Sequence, residues 1–119
     1  MSAIGELSNT EFCYLTTVGR ASGRAHRIEI WFVAHADGAY LLSNSPEADW
    51  YRNLEAEPRV VLEIAGESRE TVARAVGSDD PAGPTVRPAM VAKYQARYPQ
   101  EDLREWSETA SVVRIEWPM

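Results

Sequence analysis

The sequence of 119 residues contains one cysteine and one lysine. Cys13 alone cannot close an internal disulfide. Its isolation also excludes a two-cysteine redox centre and any multi-cysteine metal site. It lies in the apolar run Phe12-Cys13-Tyr14-Leu15, which reads as the setting of a buried, inert thiol. Two histidines, His26 and His35, are too few for a histidine-rich metal site. Positive charge is scarce too: 12 basic against 18 acidic residues give a net charge of −6, and all the basic residues except Lys93 are arginine. A broad basic face of the kind that binds duplex nucleic acid is therefore excluded. No run approaches the roughly 20 apolar residues of a membrane span. Met1 to Glu11 has neither the positive n-region nor the apolar h-region of a signal peptide, which points to the cytoplasm.

What is present is ordinary for a folded domain: 45% hydrophobic and 25% charged residues. The chain is long enough for one core and too short for two. Residues 1–10 read as an N-terminal arm or short helix, and residues 11–119 as a single domain. Glu11 to Val18, β-branched and aromatic, predicts a strand buried on both faces. Gly19 to Arg24 reads as a turn, and His26 to His35 as one second strand. Asp37-Gly38 predicts a hairpin leading into a strand over Ala39 to Ser43. A helix then starts with Ser45 as N-cap and Pro46 in its first position, and Pro58 stops it. Arg59 to Ile64 and Ser68 to Val76 are strands joined by the turn Ala65-Gly66. Residues 77–88 read as a loop, Pro88 to Tyr98 as a helix, the segment with Leu103 and Trp106 as a short helix, and Ala110 to Trp117 as the last strand. Hairpins dominate and no regular βαβ repeat occurs. The class is α+β, mainly β: an antiparallel sheet or small barrel flanked by two to three helices.

One segment breaks the acidic trend. Arg20-Ala21-Ser22-Gly23-Arg24-Ala25-His26-Arg27 holds three arginines and a histidine and no acid. A glycine-bounded turn of this composition offers backbone N–H groups, a hydroxyl and guanidinium forks to an anion. The plainer alternative is a solvated turn whose arginines pair with nearby acids. Arg27, Glu29 and Trp31 share the next strand face, which suits a groove wall, a ring-holding surface or a partner contact, with an Arg27–Glu29 ion pair as the plain alternative. Asp49-Trp50-Tyr51-Arg52-Asn53-Leu54 and the later Tyr94, Tyr98 and Trp106 are aromatic sets that serve either packing or a substrate wall. No nucleophile motif, P-loop or dinucleotide fingerprint occurs.

The segments Tyr14-Leu-Thr-Thr-Val-Gly-Arg-Ala-Ser-Gly23, Ile28-Glu-Ile-Trp-Phe-Val33, Tyr40-Leu-Leu-Ser43, Ala48-Asp-Trp-Tyr-Arg-Asn-Leu54 and Pro58-Arg-Val-Val61 together resemble the deazaflavin-dependent nitroreductase family. The likeness covers roughly residues 11–117. It implies a split β-barrel that binds coenzyme F420, with the turn after the first strand on the cofactor phosphate. Arg20, Ser22 and Gly23 match that turn, and Ala21 replaces its usual basic residue. By resemblance the phosphate falls to Arg20, Ser22, Gly23 and Arg24, with His26 and Arg27 behind them. Ser43, Asn44 and Trp50 fall near the ring, and Trp31 and Tyr98 in the substrate pocket. The tyrosines that follow Tyr98-Pro99 in nitroreductases are missing, so the implied acceptor is another small unsaturated compound, such as an enone or quinone. FMN on a pyridoxamine-phosphate-oxidase-like scaffold, and a non-catalytic cofactor-binding role, are the alternatives. Split barrels often pair, so a homodimer is also implied.

Overall fold

The computed structural model describes residues 1–118. Seven strands and three helices follow a short 3-10 turn at Ile4–Leu7: β1 (Cys13–Val18), β2 (Ala25–Ile30), β3 (Val33–His35), β4 (Gly38–Ser43), α1 (Asp49–Ala56), β5 (Arg59–Ile64), β6 (Glu67–Ala75), α2 (Ala82–Tyr94), α3 (Leu103–Thr109) and β7 (Ser111–Glu116). The strands form one antiparallel sheet in the order β2-β1-β5-β6-β7-β4-β3. The two edge strands, β2 and β3, are thus consecutive in the chain. Only Trp31 and Phe32 separate them. Three Cα steps from Ile30 to Val33 span at most about 11 Å, whereas the edges of a flat seven-stranded sheet lie about 29 Å apart. The sheet must therefore curl until its edges approach, and it does so as a half-barrel.

β6 carries the curl. Its first six residues pair with β5, and Ala73 to Ala75 pair with β7. The interior is filled by alternating residues such as Leu15, Leu41, Leu62, Ile64, Val113 and Ile115. Ile4 and Leu7 of the N-terminal turn join this core. A second cluster lies outside the barrel wall, where Val86, Met90 and Tyr94 of α2 pack on Tyr40, Leu42 and Val112. β4 is consequently buried on both faces.

Six expectations are corrected. In β1 only Cys13, Leu15 and Thr17 are buried; Tyr14 and Thr16 are half-buried and Val18 is exposed, because α2 and α3 cover the outer wall only over β3, β4 and β7. The single strand expected over His26 to His35 is two strands, broken at Trp31-Phe32 where the chain crosses between sheet edges. The hairpin turn sits one residue earlier than Asp37-Gly38: Ala36 and Asp37 carry the positive φ values, 47° and 61°. A Cβ on Gly38 would lie 2.6 Å from Arg114 Nη1, so this glycine makes room for a guanidinium. Helix α1 begins at Asp49, because the Ser45 hydroxyl closes a local turn with Glu47 N at 3.0 Å and Ala48 is the N-cap. The loop expected over residues 77–88 is the first half of α2 from Ala82 onward, started by an Asp80 Oδ1 bond from Ala82 N at 2.9 Å. Tyr98, expected within the helix from Pro88, lies beyond it, after a 3-10 turn at Gln95–Arg97. Among the described residues, no helix is long and apolar enough to cross a membrane.

Candidate functional site

A groove of about 670 Å³ lies between the β1–β2 turn and the start of α1. The turn is closed by Gly19 N donating to Arg24 O and Gly23 N donating to Gly19 O, each at 2.8 Å. Gly23 has φ +72°, which an L side chain rarely adopts. The Ser22 hydroxyl accepts from Arg24 N at 3.1 Å. Gly19 is a tight floor: a Cβ there would lie 2.7 Å from both His26 Nε2 and Ser22 Oγ.

Arg20 is fixed against α1. Asn53 Oδ1 accepts from its backbone N at 3.2 Å and from its Nη1 at 2.7 Å. Asp49 Oδ1 takes Nη2 at 3.2 Å. Asn53 is 4% exposed and donates its remaining amide group to Thr17 Oγ1 at 3.4 Å. Arg27 pairs with Glu63 at 3.6 Å and lies 4.0 Å above the Tyr14 ring. Glu29 instead accepts from the Tyr14 hydroxyl at 3.0 Å, so the expected Arg27–Glu29 pair gives way to a two-rung ladder across β2, β1 and β5. The groove wall therefore carries Arg20, His26 and Arg27 against one acid, Asp49, itself paired. Trp50 supplies a half-buried aromatic surface on the α1 side. Chemically this is a wall for an anion beside a place for a flat ring.

Of the residues expected from sequence, Arg20, Ser22, His26, Arg27 and Trp50 meet in this groove. Gly23 and Arg24 are exposed at the turn tip. Ser43 is buried at the end of β4, donating its hydroxyl to Ser45 O at 2.6 Å. Trp31 and Asn44 line a separate cavity, and Tyr98 packs against Trp31 with ring centroids 4.9 Å apart. Thr17 also lines the groove, as do Asp49 and Asn53, which the sequence placed in the Asp49–Leu54 segment without a site role. The signal available was an asparagine on the apolar side of α1, next to Leu54.

Three ionisable groups around the strand break, Cys13, Lys93 and Tyr94, are strongly perturbed. Burial pushes the Cys13 thiol up to about 12. Burial also lowers Lys93 to about 8. Its Nζ donates to Phe32 O at 2.8 Å and lies 3.7 Å from the Phe32 ring centre. The Tyr94 hydroxyl takes Phe32 N at 3.1 Å and donates to Glu11 O at 2.6 Å. Burial raises its pKa. Together Lys93 and Tyr94 satisfy the backbone at the strand break.

A curled antiparallel sheet with its edges joined by two residues and helices on the outer wall define a split β-barrel. The profile of the F420H(2)-dependent quinone reductases matches residues 2–115, and the chain belongs to that family. No curated protein matches it. Among solved structures it is similar to the haem storage protein HutZ from Vibrio cholerae, with TM-score 0.75 and 23% identity over 98% of this chain and 88% of that one. It is similar to the F420-H2-dependent reductase FDR-A, with TM-score 0.66 and 17% identity over 87% and 91% of the two chains. A FAD-binding protein from Mesorhizobium loti aligns at TM-score 0.68 and 13% identity over 100% and 91%. These likenesses concern the fold.

Proposed function

We propose that the protein is an F420-dependent reductase that transfers a hydride from the reduced deazaflavin to a small unsaturated acceptor of the quinone or enone class. The observation that carries this reading is the groove itself, about 670 Å³, lined by Arg20 and Ser22 of the turn, by His26 and Arg27, and by Trp50. Gly19 lets the Ser22 hydroxyl and the His26 imidazole close over the backbone at the groove floor, where a Cβ would lie 2.7 Å from each. Arg20, Ser22 and Arg24 would hold that phosphate, with His26 and Arg27 flanking it. When bound, the cofactor supplies the hydride. The protein's own work is orientation: Asn53 and Asp49 hold the Arg20 guanidinium in place beforehand, which limits the side-chain entropy lost on binding. Trp50 offers the ring an apolar surface that excludes water from one side. The reading includes a homodimer, which sedimentation checks.

The test is F420 binding followed by turnover of the reduced cofactor with a quinone and with a cyclic enone. Saturable binding and acceptor-dependent oxidation support the reading. The likeness to HutZ supports a second reading, non-catalytic binding of a cofactor on the same scaffold. It predicts a bound cofactor without acceptor-dependent turnover, and side-by-side titration with F420, FMN and haem identifies the cofactor.

A further inference from the structure

A second cavity, about 270 Å³, opens further along β2. Residues 25–28 line the large groove, whereas Glu29, Ile30 and Trp31 line this one together with Leu42, Asn44 and Trp106. The volume equals about nine waters, which suits a compact ligand.

Its walls are mainly aromatic and aliphatic. Trp31 stacks on Tyr94 with centroids 4.3 Å apart and planes within 6°, and meets Trp106 edge-on at 5.7 Å. The Trp106 indole N–H donates to Asn44 Oδ1. Indole is a donor only, so this bond orients the Asn44 amide and turns its nitrogen away from Trp106. Glu29 uses Oε2 on the Tyr14 hydroxyl. The lining contains one carboxylate, two indoles and two aliphatic side chains, and no basic group. Its charge is opposite in sign to that of the neighbouring groove.

We propose that this cavity is a binding site for a compact aromatic cation, a single ring carrying a protonated nitrogen. Trp31 is held between Tyr94, Tyr98 and Trp106, so the ligand ring meets the indoles where they border the cavity, and the cation gains from Glu29 and from the aromatic lining. An anionic or uncharged isostere gains neither term. The proposal stands independently of F420, because it concerns a different cavity.

The test is a titration with tyramine and with tyrosol, which replaces the ammonium by a hydroxyl, followed by NMR of the four indole N–H signals, with Trp106→Phe to assign one. The expected result is a shift of the Trp31 and Trp106 signals while Trp50 and Trp117 stay fixed, with tyramine bound about fivefold more tightly than tyrosol. Glu29→Gln, at an exposed position, should remove that preference and leave tyrosol affinity unchanged. Absence of a shift at millimolar tyramine, or a preference that survives Glu29→Gln, overturns the proposal.

Discussion

Asn53 Oδ1 accepts two hydrogen bonds from Arg20, one from the backbone at 3.2 Å and one from Nη1 at 2.7 Å. A buried amide thereby fixes the one arginine of the turn that faces α1. Replacing Asn53 by Leu, of similar size, leaves the Arg20 N–H and the buried Thr17 hydroxyl without their partner. We expect a stability loss of about 2 kcal/mol, measured by urea unfolding. F420 affinity should fall with it, beyond what the unfolded fraction explains.

Gly19→Ala probes the same turn differently. The new methyl group meets only the ends of the His26 and Ser22 side chains. These can move, so the fold should tolerate the change at a cost of about 1 kcal/mol. The groove floor rises, and F420 affinity should drop more than tenfold in calorimetry.

Removing the Tyr94 hydroxyl tests the strand break. Tyr94→Phe keeps the ring on Trp31 but leaves Phe32 N and Glu11 O without their shared partner. The expected loss is about 1–3 kcal/mol in denaturant unfolding, and amide exchange at Phe32 should accelerate.

The pH dependence of stability has two opposing parts. Folded Lys93 loses its proton near 8, but in the unfolded chain it does so near 10.4. Between these values the unfolded state binds more protons, so this group makes stability rise with pH. Folded Cys13 keeps its proton to about 12, but the unfolded thiol loses it near 8.5. Above 8.5 that group makes stability fall. Between about 8.5 and 10.4 the two slopes nearly cancel, so Lys93→Met should make stability fall with pH there and Cys13→Ala should make it rise. Thermal melts of the three proteins from pH 7 to 10 check both signs, and native Cys13 should resist thiol reagents.

Much of this was legible where local chemistry decides the outcome. Arg59–Ile64 alternates in burial along β5 as its sequence does, and Ala65-Gly66 carries the positive φ values of a tight turn. The basic segment was visible because it lacks acids in an acidic chain. The break at Trp31-Phe32 was not visible, since no glycine or proline marks it. Its backbone partners are Lys93 and Tyr94, about sixty positions away. The start of α2 was hidden by Pro81, Pro84 and Pro88, which read as loop residues. Pro81 and Pro84 occupy the N-cap and first turn, where no N–H is needed. The true signal was the spacing of Ala82, Val86, Met90 and Tyr94 by four, one buried stripe running through the prolines. Asn53 was overlooked because its role depends on a turn 33 residues earlier in the chain.

The central claim is that the Arg20 turn holds the phosphate of F420. Titration of the protein with F420, followed by cofactor fluorescence, tests it most directly. Saturable binding at micromolar concentration is predicted, weakened at least about tenfold by Arg20→Ala through loss of charge-assisted bonds. No saturable binding, or equal affinity in the Arg20→Ala protein, would contradict it.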